Sequence, residues 1–189
     1  GQAQLMHMYD TLFSEYNCTV AQILLTDENV ENEKSAANLS ITFDTLLEMG
    51  VIPIVNENDS VASTEIESGH HKVLGDNDTL SAIVAKFCKA DLLILMSDID
   101  GLYNADPRKN ADAKLIHEVD ELTPGIYEMA GGAGTTHGTG GMVTKLSAAK
   151  IATEAGVDMY IINSDNVDNL YDIFEGKAVG TLFKAHKRG

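Results

Sequence analysis

A chain of 189 residues, 44% of them hydrophobic, is long enough to bury a core, and its formal net charge of −16 repels a phosphate backbone. Nucleic acid is therefore excluded as a partner, although lysines, backbone amides and a bound cation can still hold a nucleotide locally. The longest apolar run, Leu92 to Met96, falls far short of the ~20 residues of a membrane span, and "GQAQLMHMYD" at residues 1–10 lacks the basic start and apolar centre of a secretory signal.

In chain order, residues 2–16 read as an amphipathic helix and "TVAQILL" (19–25) as a strand. Asp27 or Asn29 then caps a long helix that ends at Gly50. "VIPIV" (51–55) is a short apolar strand, followed by the polar loop "NENDSVA" (56–62). "STEIESGHHKVL" (63–74) reads as a hairpin, residues 78–89 as a helix, and "DLLILMS" (91–97) as a buried strand without polar alternation. A long irregular segment, "DIDGLYNADPRKNADAKLI", follows. Next come a helix over 121–129, the glycine-rich loop "AGGAGTTHGTGG", a helix over 142–155, the strand "DMYIIN" (158–163), and a last helix and strand. The alternation predicts one α/β domain with a mostly parallel central sheet. Ligands of such sheets bind beyond the carboxyl ends of the strands, so the loops after residues 55, 97 and 163 are expected to line a site.

Three of the polar segments carry chemistry. In "LGDNDTLSA" (74–82), Asp76, Asn77 and Asp78 stand together before an apolar helical run. They either cap that helix, where the dipole favours carboxylates, or bind a ligand. "SDIDG" (97–101) follows a buried strand, and "GTGGMVTK" (138–145) opens a helix with Lys145 in its first turns. Glycines there let backbone N–H groups approach a phosphate, and Lys145 adds a point charge. The segment is neither a Walker loop nor G-x-G-x-x-G, so spacing alone leaves a phosphate cradle and a plain flexible loop both open. "DIDGLYNAD" has its glycine in the wrong place for an EF-hand. His70, His71, His117 and His137 are scattered, Cys18 and Cys88 have no metal-ligand spacing, and no metal-ligating residues are assigned. The two cysteines fit a reduced, cytoplasmic setting. No G-x-S-x-G or Cys/His pairing points to a covalent nucleophile.

Taken together, "VIPIVNENDSVA", "GDNDTLSAIVA", "SDIDGLYNADPRKN" and "GTGGMVTKLSAAKIATEAGV" resemble the amino acid kinase family over nearly the whole chain. Within it, "NENDSVA" paired with "GDNDTLSA" resembles the members that phosphorylate the side-chain carboxylate of L-glutamate with ATP, the first step of proline synthesis. The resemblance implies a three-layer α/β/α sandwich, ATP with Mg²⁺, L-glutamate as acceptor, feedback inhibition by proline, and a homo-oligomer (dimer or tetramer). It implies that Asp59 and Asn77 hold glutamate while Asp76 shapes that pocket. Lys145 and Asp78 would be catalytic, with Asp78 orienting the lysine. Ser97, Asp98, Gly138, Thr139, Gly140, Gly141, Met142 and Lys145 would contact ATP. A glutamate carboxylate, with a pKa of ~4.3, is already ionised at neutral pH, so no general base is needed. The family starts with a strand bearing a lysine and a Gly/Ser phosphate loop, then a second Ser-Gly loop. Neither is recognisable in residues 1–189, so the chain is expected to lack its N-terminal strand and phosphate loop, and also the RNA-binding-like (PUA) C-terminal domain of some members. The alternatives are a sibling kinase acting on another carboxylate or on carbamate, and a non-catalytic ligand-binding fragment.

Overall fold

The computed structural model describes residues 1–59, 72–131 and 140–186. Contacts divide the chain into two units, Gly1–Leu80 and Ser81–Gly189.

The first unit is built on two aliphatic strands. β1 (Val20–Leu25) runs parallel to β2 (Ile52–Glu57), in register from Val20↔Ile52 to Leu25↔Glu57. Pro53 is tolerated because each strand of a two-stranded sheet is an edge. α1 (Gln2–Ser14) lies against β1 and stops two residues before the expected end; Asn17 follows in the left-handed region that asparagine tolerates. The single long helix expected between the strands is instead two: α2 (Asp27–Glu31) and α3 (Glu33–Glu48). Asn32 causes the break. Its backbone is extended, and its side chain accepts the Ser35 N–H at 3.0 Å, so it caps α3 rather than continuing α2. α3 buries Leu39 and Phe43, one helical turn apart, and Leu25, Val51 and Leu74 of the same unit are buried too. Each such side chain contributes about 1.5–3 kcal/mol on burial. Of the expected hairpin over 63–74, residues 63–71 lie outside the described residues, and 72–74 are not a strand.

α4 (Asn77–Phe87) begins in the last residues of the first unit and continues into the second. There β3 (Leu92–Ser97) pairs in parallel with β5 (Asp158–Asn163). β5 pairs antiparallel with β6 (Thr181–Phe183), and β6 pairs in parallel with β4 (Glu118–Val119), giving the order β3-β5-β6-β4. The two-residue β4 is too short to show an alternating pattern and was not expected. α5 (Pro124–Met129) starts later than expected because Pro124 sets its first turn. α6 (Gly140–Glu154) starts two residues earlier, and α7 (Asp168–Phe174) joins β5 to β6. Ala148, Ala149 and Ala152 of α6 are fully buried in one cluster with Leu95, Met159, Ile161 and Phe183. Their small side chains let the helix pack closely on the sheet. The fold is α/β with mostly parallel strand pairs, as the sequence implied. Among the described residues, no helix is long and apolar enough to cross a membrane.

Candidate active site

In the first unit the carboxyl ends of β1 and β2 are lined with charge. Asp27, just beyond β1, does not cap α2: Thr26 takes that position, with its N–H donating to Asn29 Oδ1 at 2.8 Å. The Asp27 carboxylate is buried and accepts the Leu74 N–H at 2.8 Å, tying the segment before α4 to the end of β1. Glu57, the last residue of β2, pairs with Lys72 at 2.7 Å. The hydrogen bond to Glu57, then the charges of Asp59 and Asp27, raise the pKa of this exposed lysine. Asp59, expected to hold substrate, is exposed near that lysine. Asn56 and Glu57 belong to β2, and Asn56 Oδ1 accepts the Glu57 N–H, a local turn-like bond.

Asp76 is the cap of α4. Its Oδ1 accepts the Thr79 N–H and its Oδ2 the Thr79 hydroxyl, both at 2.8 Å. Asn77 is exposed, and Asp78 is half-buried in the first helical turn. Of the three adjacent polar residues, Asp76 therefore fixes the helix start.

The second unit holds a pocket of about 580 Å³. The irregular segment after β3 supplies most of its wall, including Asp98, Ile99, Leu102 and Pro107, and Met129 of α5 and Met142 of α6 also line it. A mostly apolar lining with polar and charged side chains among it, Asp98 and Arg108 included, suits a planar base and its sugar. Ser97 donates to Asp98 Oδ1 at 3.2 Å and also accepts the Ile99 N–H. Tyr103 donates to Asp100 at 2.8 Å, and this bond, reinforced by partial burial, raises the tyrosine's pKa. Arg108 bonds Asp106 through its backbone and its guanidinium, which lowers that carboxyl's pKa.

Met142, in the first turn of α6, connects the pocket to the glycine opening of that helix. Lys145 is buried to 9% exposure, and its ammonium reaches back toward the amino end of the helix, donating to the Gly141 carbonyl at 3.4 Å. Among the described residues, nothing lies within 4 Å of a Cβ added to Gly141, so packing against them does not demand glycine there. Of the expected nucleotide contacts, Asp98 and Met142 line the pocket, Gly140, Gly141 and Lys145 lie on the first turns of α6, and Gly138 and Thr139 lie outside the described residues. His70, His71 and His137 do too. Among the described residues, no group of three or more His, Cys, Asp or Glu side chains is placed to hold a metal ion.

Sequence reasoning missed Lys72, Asp100, Thr181 and Gly180. Lys72 stood in the expected hairpin, and nothing local distinguishes it. Thr181 is fully buried and bonds both Leu102 and Ile116, 79 and 65 residues away, so only the folded chain reveals it.

Residues 1–163 match the amino acid kinase family. The chain is 55% identical, over 187 residues, to the glutamate 5-kinase of Clostridium perfringens, covering 99% of this chain and 69% of that protein. It is 54% identical to the glutamate 5-kinase of Clostridium tetani over 99% of this chain and 68% of the relative. It is 52% identical to that of Carboxydothermus hydrogenoformans, over the whole chain and 49% of the relative. Among solved structures, an isopentenyl phosphate kinase superposes with a TM-score of 0.61 at 19% identity, over 97% of this chain and 66% of the other. The uridylate kinase of Archaeoglobus fulgidus superposes with a TM-score of 0.52 at 22% identity, over 87% and 61%. These two likenesses bear on the fold alone.

Proposed function

Since the chain belongs to the amino acid kinase family, we infer that it uses ATP to phosphorylate the side-chain carboxylate of L-glutamate, forming L-glutamate 5-phosphate for proline biosynthesis. The likeness to glutamate 5-kinases over nearly the whole chain supports glutamate as the acceptor. On the phosphoryl side one observation carries the reading. Lys145 is a buried cation drawn back toward the glycine opening of α6, one turn from Met142 of an apolar, nucleotide-sized pocket.

Each residue has a task in this scheme. The pocket walled by residues after Asp98 takes the base and sugar of ATP. Backbone N–H groups at Gly140, Gly141 and Met142 face the phosphates at the positive end of the helix, and Gly138 and Thr139, which precede them in sequence, join these contacts. Lys145 stabilises charge that develops on the transferring phosphoryl group. Ser97 holds Asp98 in place at the pocket rim. Asp59 and Asn77 bind glutamate, whose α-ammonium group suits an acidic surround. Asp76 contributes by fixing the start of α4, and Asp78 is the catalytic carboxylate of that helix. The acceptor carboxylate is already anionic at neutral pH, so the protein's task is to position two anions and screen them, not to remove a proton.

Mg²⁺ accompanies ATP in this scheme. It binds through one or two carboxylates together with substrate phosphates, so it needs no cage of protein ligands. Asp98 fits that demand. When bound, the ion neutralises phosphate charge. Proline acts as a feedback inhibitor, the protein assembles as a dimer or tetramer, and the setting is cytoplasmic.

The test is ADP release by the native protein with Mg-ATP and a panel of acceptors: L-glutamate, L-aspartate, N-acetyl-L-glutamate, UMP and carbamate. Release with L-glutamate alone is expected. Faster release with another acceptor would assign the chain to a sibling activity, and ATP binding without release for any acceptor would make it a non-catalytic module.

A further inference from the structure

The segment after β3 lines the pocket yet has almost no secondary structure of its own. The isolated bridge Tyr103↔Leu115 crosses it, flanked by hydrogen bonds between Asn104 and Lys114. Stretches this long without helix or strand are uncommon in compact domains, and here its shape decides the pocket wall. Both of its legs also bond one atom outside the segment. The Leu102 N–H donates to Thr181 Oγ1 at 2.9 Å, and the same hydroxyl donates to the Ile116 carbonyl at 2.6 Å. Next to it, Ile116 N–H donates to the Leu102 carbonyl at 2.8 Å, His117 Nδ1 lies 3.1 Å from the Gly180 carbonyl, and Leu182 N–H donates to the His117 carbonyl at 2.8 Å. Thr181 is fully buried and does not itself line the pocket.

Two glycines make this junction possible. A Cβ on Gly101, whose φ is +148°, would collide with the Thr181 hydroxyl. A Cβ on Gly180, at φ +57°, would collide with the Ile161 carbonyl, so β6 could not start so close to β5. The first glycine opens the path from Leu102 to the hydroxyl, and the second brings the hydroxyl to that path.

We propose that Thr181 is a positioning residue for nucleotide binding: its hydroxyl pins both legs of the 98–116 segment and so sets the shape of the pocket wall. This rests on reading the 580 Å³ pocket as the ATP site. A valine has nearly the same shape but supplies neither donor nor acceptor, which leaves Leu102 N–H and the Ile116 carbonyl without their shared partner. A serine keeps the hydroxyl.

The experiment measures Mg-ATP binding to the native protein by titration calorimetry, without glutamate, beside steady-state KM values for both substrates. T181V is expected to raise the ATP Kd and KM tenfold or more while the KM for glutamate stays within twofold. T181S is expected to stay within threefold of wild type throughout. T181V with wild-type ATP affinity overturns the proposal, even if its melting temperature falls. Equal weakening by T181V and T181S overturns it as well, because the hydroxyl would not be the cause. If T181V does not accumulate as folded protein, T181A removes the same hydroxyl without added bulk. A raised ATP Kd in T181A, with T181S near wild type, supports the proposal, and an unchanged one overturns it. A wild-type protein that binds no ATP would instead defeat the reading of the pocket, which separates the two failures.

Discussion

The turn before α4 and the segment after β3 both carry proposed site residues, but they are held by different means. Asp76 takes both of its hydrogen bonds from Thr79, three residues on, and the cap would form in almost any context that allowed a helix there. The 98–116 segment is held from a distance. Thr181 bonds Leu102 and Ile116 across 79 and 65 residues, and Asn163 Nδ2 donates to Asp100 across 63. The acceptor-side turn thus carries its own instructions, with Asp27 adding one remote tie to Leu74. The nucleotide-side wall has local ties as well, Asn104 to Lys114 and Arg108 to Asp106, but it is anchored to the ends of β5 and β6. A substitution near α4 should act on the residue replaced. One in β6 should reach the pocket without touching it.

The largest effect is expected at Lys145. Lys145→Ala should lower kcat by about 10²–10³, the worth of one transition-state contact, with KM for glutamate nearly unchanged. Steady-state kinetics on the native protein would show this, and near-normal turnover would remove Lys145 from the chemistry. Next, Asn77→Ala and Asp59→Ala should raise the KM for glutamate by about 10–100-fold, from the loss of a hydrogen bond worth ~1.5–3 kcal/mol to a charged ligand. The KM for ATP should stay as it is. An equal loss for both substrates would erase the distinction between the two regions.

How much of this contrast the sequence made legible follows from the same distances. The strands at 19–25, 51–55, 91–97 and 158–163 were readable because aliphatic runs between polar breaks declare themselves within a few residues. So was the placement of Lys145 behind its glycines, whereas capping by Asp76 stood only as an alternative to a ligand contact. Asn32 was misjudged because its side chain breaks a helix only by bonding Ser35, a choice that periodicity does not record. Asp27 looked like a cap, and its true partner, Leu74, lies 47 residues away. Thr181 sat in "GTLF" with no local sign that its hydroxyl would close a junction. Most of what the sequence hid is decided by long-range hydrogen bonds, and the Asn32 cap on α3 is the local exception.

Smaller effects sharpen the comparison. Gly180→Ala forces a left-handed backbone on an L-residue, costing about 1–2 kcal/mol before the collision with Ile161 is added. A fall in the urea midpoint, together with weaker ATP binding, is the expected outcome. Asp76→Ala should cost about 1 kcal/mol of stability through the lost cap, and should raise the glutamate KM less than Asn77→Ala does. The smallest effect is in pH. Asp100 holds the Tyr103 proton, so the folded pKa lies above the ordinary value of 10.0. The contribution of this bond is complete below that value and is lost as pH rises through the raised one. ATP affinity should therefore begin to weaken only above about pH 10, and Tyr103→Phe should abolish that limb of the profile.

The central claim, transfer of phosphate to the side-chain carboxylate of glutamate, is tested most directly by trapping the product. An acyl phosphate reacts with hydroxylamine to give a hydroxamate and free phosphate. Native protein incubated with Mg-ATP, L-glutamate and hydroxylamine should form γ-glutamyl hydroxamate in step with ADP, and the Lys145→Ala protein should form almost none. ADP released without hydroxamate, or no glutamate-dependent ADP at all, would contradict it.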